Sequence, residues 1–404
     1  MTPTVINGYE HFGGIHPETA TIANCLRYLG VKNPATGEPF TEAMVFGIAG
    51  GLGACYILWE FKEHNRPAIV FGWQHLFNYP VRYVENFCKR IGVTSEFHET
   101  GGMKKAGQTL HDALAAGKPA ILWLERELLD YYNRDPDDTG WFSWVVTACG
   151  YDATADSFTI DDTGAVPFTV PSASLTAARQ RIPSFKNRLL LLSPPESMDL
   201  PAAIRDGIQG NIEYLGSKST SFALPTLRKW ARMLTDTKNA KGWPTVFAEG
   251  KCLFSGLVSV YEGIMHEGSD GTALRGMYAD FLAEAAVVLG APVLDDAAAE
   301  YRAIGAKWRA LAEMSLDPAV ESLAAARDVL DRREAAIMAG GDDQADTIVG
   351  LGKEFEAMRP DADAAFPRDE AWINDLFGRM QPQISDIFSH ENAALDMLRE
   401  AMQD

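Results

Sequence analysis

Two adjacent prolines, in Ser193-Pro194-Pro195-Glu196-Ser197, divide this chain into halves that obey different periodicities. Paired prolines continue neither a helix nor a central strand, because each lacks an N–H and fixes φ. Before them, β-branched and aromatic runs alternate with helical spacing. Ala120-Ile121-Leu122-Trp123-Leu124 and the run from Trp144 to Tyr151 read as buried strands. After them the pattern is almost wholly helical, with apolar 3/4 spacing through Leu316–Leu330 and Asp375–Met380, broken by Gly340-Gly341 and Pro367. At 404 residues the chain exceeds the ~250–300 residues at which a single core stops growing. Two domains are therefore expected: an α+β domain over residues 1–195 and an all-α domain over residues 196–404.

Within the first half the spacing predicts helices over 17–29, 41–48, 52–63, 79–91 and 106–116, and strands over 67–71, 93–98, 120–124, 143–151, 157–161 and 188–193. A formal net charge of −19 argues against nucleic acid, whose phosphates demand a basic face. No apolar run reaches the ~18–20 residues that span a bilayer, and Met1 to Asn7 lacks the basic and apolar regions of a signal peptide, so a cytoplasmic protein is expected. The five cysteines (Cys25, Cys55, Cys88, Cys149 and Cys252) are widely spaced, with no Cys-x-x-Cys pair. Reduced, buried thiols are expected, with no zinc, disulfide framework or cofactor.

Residues 10–29 carry the most chemistry. Gly13 and Gly14 make a turn, His16 leads into Pro17, and Ile22, Cys25, Leu26 and Leu29 follow at helical spacing. Proline suits a first helical turn. A thiol at such a start would be held as thiolate by the dipole and free amides; Pro17, in that place, can neither attack nor donate. Cys25 lies ~12 Å farther along the helix and ~80° around it, which makes it a core thiol. His11, His16 and Glu18 are candidates for substrate contact or for structural hydrogen bonds. Glu18 falls in the first turn, where a carboxylate favours the dipole, and a metal would need a third converging ligand.

Farther along, Ser143, Thr147 and Cys149 share one face of a period-2 strand, and Trp144, Val146 and Ala148 the other. An indole at 144 can stack a ligand, plug a cleft or fill the core, but it cannot take a proton. Asp161 and Asp162 are placed to bind a cation, cap a turn with Thr163 and Gly164, or face solvent. The glycine run Gly47-Ile48-Ala49-Gly50-Gly51-Leu52-Gly53 lacks the Lys-Ser/Thr of a phosphate loop and follows a helical pattern, which points to tight backbone packing or an amide-lined wall. Arg228, Lys229 and Arg232, on a helix introduced by Pro225, form the densest basic patch. It is either a solvated helix face or a dock for an acidic carrier protein or a phosphopantetheine phosphate.

His16-Pro17-Glu18-Thr19, the run Phe46 to Gly53, Gly150-Tyr151-Asp152, and Asp162-Thr163 with Ala178-Arg179 resemble, in that order, the N-terminal domain of the butirosin biosynthesis protein H family. Gly268-Ser269-Asp270-Gly271-Thr272 and the run Arg275 to Leu282 resemble the helical domain of unknown function that commonly follows it. The resemblance implies a papain-like fold, related to bacteriocin-processing peptidases, that moves an acyl or aminoacyl group from a carrier-protein or CoA thioester to an amine. It also implies a Cys where this chain has Pro17 and a His where it has Trp144, leaving Asp162 as the retained triad member.

Two functions are consequently expected as alternatives. One is an amide-forming acyl- or aminoacyltransferase-like protein of natural-product biosynthesis without a cysteine nucleophile. In it His16 is base or donor, Asp162 is orienter, and His11, Glu18, Ser143, Trp144 and Tyr151 contact the substrate. The bound amine attacks, and an acyl carrier protein is the partner. The other is a catalytically inactive pseudoenzyme that binds a small ligand or a partner protein. The first calls for polar groups converging in an open pocket, the second for a cleft closed by Pro17 and Trp144. A homo-oligomer is compatible with both.

Overall fold

The computed structural model describes residues 4–61, 66–132 and 143–403. Along the chain come β1 (Thr4–Val5), α1 (Pro17–Tyr28), α2 (Glu42–Ala49), β2 (Leu52–Phe61), β3 (Arg66–Gln74), α3 (Pro80–Ile91), β4 (Thr94–His98), α4 (Met103–Ala115), β5 (Ala120–Leu124), β6 (Trp144–Asp152), β7 (Ser157–Asp161), β8 (Phe168–Pro171), α5 (Ser172–Gln180) and β9 (Leu189–Ser193). The rest is helical: α6 (Leu200–Leu215), α7 (Pro225–Met233), α8 (Trp243–Val246), α9 (Leu253–Met265), α10 (Arg275–Leu289), α11 (Val293–Ser315), α12 (Glu321–Ala339), α13 (Asp342–Ala364) and α14 (Glu370–Ala401). An α/β region with sheets is thus followed by a helical one. Among the described residues no helix is long and apolar enough to cross a membrane.

Two compact units are built from discontinuous segments. One comprises Met1–Val45, Ile91–Met198 and Val329–Glu356, the other Phe46–Arg90, Asp199–Asp328 and Ala357–Asp404. The crossing at Met198/Asp199 lies close to the paired prolines; the other crossings carry no comparable punctuation.

The first unit holds an antiparallel sheet in the order β4-β9-β5-β6-β7-β8, with β1 added on β6. Register places Leu124 opposite Trp144, Leu122 opposite Val146, and Thr147 opposite Asp161. One face of β6 and its neighbours buries Leu122, Leu124, Val146, Ala148 and Ile160 against Leu110 of α4 and Leu175 of α5. Ala336, Ile337 and Ile348, from α12 and α13, complete that core, which is why a segment from the far end of the chain belongs to this unit. On the other face α1 packs on β6, with Cys25 Sγ 3.9 Å from Thr147 Oγ1.

In the second unit the expected helix over 52–63 is strand β2, paired with β3 from Cys55 opposite Gly72 to Phe61 opposite Arg66. Its Ala54-to-Trp59 run also fits a period of two, with Tyr56 and Leu58 buried, Ile57 half-buried and Trp59 exposed. Pairing with β3 and packing against α6 and α7 decide between the two periods. Strand β8 and helix α5 arise where no element was expected. The glycine run explains itself by close approach: Gly51 has φ +64° and the Tyr278 ring lies where its side chain would be, while the His75 ring does the same at Gly50.

Candidate functional site

The start of α1 is docked on the end of β7 by backbone. Gly13 donates its N–H to Asp161 Oδ1 at 2.8 Å, and Gly14 donates to the Thr163 carbonyl at 3.1 Å. Gly13 sits at φ +81°, and a Cβ there would meet the Gly164 carbonyl oxygen at 2.7 Å, so only glycine allows this approach. Glu42, at the first turn of α2, then covers the helix start. Its carboxylate accepts from the N–H of Ile15 at 3.0 Å, the N–H of His16 at 2.7 Å and the hydroxyl of Thr19 at 2.9 Å. His16 is the residue before the helix, but its ring does not cap it. Nδ1 lies 3.2 Å from Thr19 Oγ1 and Nε2 lies 3.5 Å from Glu18 Oε2, and both His16 and Glu18 are buried.

Asp162, just beyond β7, is buried at the centre of a second cluster. Oδ1 accepts from Trp144 Nε1–H at 2.8 Å and from the Thr163 N–H at 2.7 Å. Oδ2 accepts from the Tyr131 hydroxyl at 2.7 Å and pairs with Arg126 Nε at 2.9 Å. The Arg126 guanidinium lies between two rings, 4.2 Å from the Trp144 centroid and 4.5 Å from that of Tyr132, and Arg333 covers Tyr132 in turn at 4.2 Å. Burial works against the Arg126 charge, but the Asp162 carboxylate, with Tyr132 and Tyr131, holds its pKa above the ordinary guanidinium value. Asp162 therefore binds a cation, Arg126, and also accepts from the amide of Thr163 and the indole N–H of Trp144.

Asp161 points to the opposite face. Tyr9 Oη donates to it at 2.5 Å, Asn24 Nδ2 at 3.2 Å, and burial pushes its pKa up to about 7 against these donors. The folded state thus binds this proton more tightly than the unfolded chain, where a carboxyl titrates near ~3.9. Its contribution to stability is present below that pH and is lost as pH rises through about 7. Urea unfolding of the parent and Asp161→Asn at a series of pH values is expected to show the parent losing about 1.4 kcal/mol per pH unit relative to the variant across that window. Parallel curves would contradict it. Cys25 and Cys149 lie on the same face; burial pushes the Cys25 thiol up to about 12 and Cys149 up as well, so neither is a ready thiolate.

Of the expected site residues, the structure brings His16 and Glu18 together, and separately Asp162 and Trp144, at either side of the Gly13–Gly14 turn. Ser143 is half-buried beside Trp144, and His11 is exposed. Tyr151 does not join them: seven residues along β6, or ~23 Å, its hydroxyl bonds Asp156 at 2.9 Å and its ring packs on His111 and Phe158. Glu42, Arg126, Tyr131, Tyr132 and Arg333 were not legible as site residues. Arg126, the first cation after a wholly apolar strand and separated from it by Glu125, was the one available signal. Among the described residues no group of three His, Cys, Asp or Glu side chains is placed to hold a metal ion. On α7, Arg228 and Arg232 are exposed and Lys229 half-buried.

Residues 16–163 match the family described as butirosin biosynthesis protein H, N-terminal, and residues 173–338 match the domain of unknown function DUF4872. No curated protein matches the chain.

Proposed function

We propose, for a chain that belongs to the butirosin biosynthesis protein H-like family, a binding role in natural-product biosynthesis without covalent chemistry: a papain-like scaffold that holds a ligand or partner of that chemistry and does not convert it. One observation carries the reading. The amides at the start of α1, where an acyl-transfer site would stabilise a developing oxyanion, already face the Glu42 carboxylate, and Pro17 has no N–H to offer. A fixed negative charge there opposes a second one. The Asp162 cluster agrees, since its carboxylate is neutralised by Arg126 and its orienting contact goes to an indole without a basic lone pair. An acidic carrier protein is the partner proposed for Arg228 and Arg232.

The competing transferase reading makes His16 the base and a bound amine the nucleophile. Both His16 ring nitrogens lie against side chains of α1, which supports a structural role. The two readings separate in one assay with the full chain, acyl-pantetheine or acyl-CoA thioesters and a panel of amines. Expected are no mass adduct on any cysteine and background aminolysis, identical in the parent and in His16→Asn. Acylation of Cys25 or Cys149, or turnover that falls ~100-fold or more in a fully folded His16→Asn variant, would return the transferase.

A further inference from the structure

The paired prolines that divide the sequence also line a groove of about 260 Å³ in the first unit, formed by the residues after α1 and the segment after β9. Leu29, Val31 and Pro34 come from one stretch and Pro194, Pro195 and Met198 from the other, and both stretches belong to the same unit. Backbone contacts fix these walls. Val31 donates its N–H to the Leu26 carbonyl at 3.0 Å, Asn33 donates to the Glu38 carbonyl at 2.8 Å, and Lys32 bridges to Pro39. On the other stretch, Gly92 sits at φ +76°, where a Cβ would meet the Ser197 carbonyl oxygen at 2.7 Å, so the 194–198 segment lies tight on that turn. The three prolines have no N–H to donate and no φ freedom to lose on binding, which makes the walls apolar and preformed.

Lys32 is the one charged side chain among the described residues of the lining. It is exposed and stands in no ion pair among the described residues, although the chain carries 55 Asp and Glu against 36 Lys and Arg. We propose that the groove binds a carboxylic acid with a short unbranched alkyl chain, its tail against the prolines and its carboxylate on the Lys32 ammonium. The lining selects this class. An amine would meet a like charge at Lys32, and a polar chain would lose its hydration against Pro34, Pro194 and Met198 without gaining hydrogen bonds. The volume is below the ~300–1,000 Å³ of sites for drug-sized ligands, which limits the tail to about six to eight carbons. The groove lies ~18 Å along α1 from Pro17, at the other end of the helix, and is independent of the role proposed for the helix start.

Titration calorimetry of the full chain with the straight-chain acids from butanoate to dodecanoate tests it. Saturable binding of one acid per chain is expected, with affinity rising about fourfold per methylene up to about eight carbons and then levelling off. Lys32→Met keeps the apolar stem and removes the charge; it is expected to weaken octanoate about three- to fivefold and to leave octanol unchanged, while Lys32→Arg retains the parent affinity. Pro34→Asp, at an exposed position, is expected to abolish octanoate binding with the near-ultraviolet circular dichroism of the parent. No saturable binding, an affinity that keeps climbing to dodecanoate, or octanoate binding as in the parent by either Lys32→Met or Pro34→Asp would overturn the inference.

Discussion

Glu391→Ala is expected to destabilise the protein by about 3–5 kcal/mol, while Arg275→Met combined with Glu391→Leu recovers most of that loss. Arg275 and Glu391 are both fully buried, and their 2.7 Å ion pair joins α10 to α14. The guanidinium also reaches the Ala273 carbonyl at 2.7 Å and the Gly53 carbonyl at 3.3 Å. Truncating the carboxylate strands a cation in a site walled by Trp73 and Trp308, and the desolvation of that charge then has no compensation. Replacing both partners with apolar groups removes the charge as well as its counter-charge. A double-mutant cycle measured by chemical denaturation decides the matter: additive losses, or a mild Glu391→Ala, would mean that the pair is solvated in solution.

A chain ending at Pro195 is expected not to fold into the first unit. It retains every strand of the large sheet but loses Ala336, Ile337 and Ile348 from the core, together roughly 4–6 kcal/mol of burial. It also loses Arg333, which covers the Tyr132 ring and donates to its carbonyl at 3.3 Å, and the Met338 carbonyl that accepts from Ala165 N–H at 2.9 Å. Domain stabilities are of order 5–15 kcal/mol, so losses of this size remove most of the margin. Near-ultraviolet circular dichroism and amide dispersion in a proton–nitrogen correlation spectrum check it. A well-dispersed spectrum from the shortened chain would show that residues 329–356 are dispensable.

Much of the architecture was readable along the chain because local patterns there agree with tertiary demands. The runs 120–124 and 157–161 are strands at those residues, the start of α1 at Pro17 follows from proline geometry, and the helical breaks fall at Gly340-Gly341 and before Glu370. Cys25 is a core thiol, as its spacing with Ile22 and Leu26 required. Among the elements expected from the sequence the exception is 52–61, whose apolar residues satisfy both periods; pairing with β3 and packing against α6 and α7 select the strand.

The candidate site divides in the same way. That Pro17 cannot serve as a nucleophile and Trp144 cannot serve as a base is covalent chemistry, complete in the sequence. Which groups surround these positions is a matter of distance in space. Glu42 reaches the amides of residues 15 and 16 from another helix, Arg126 comes to Asp162 from beyond β5, and Arg333 arrives on Tyr132 from some 200 positions away. Side-chain identity alone determined that positions 17 and 144 supply neither a nucleophile nor a base. Only the tertiary structure decided which charges meet, because a carboxylate's partner is set by which backbones the fold brings within about 3 Å, and no local periodicity encodes that.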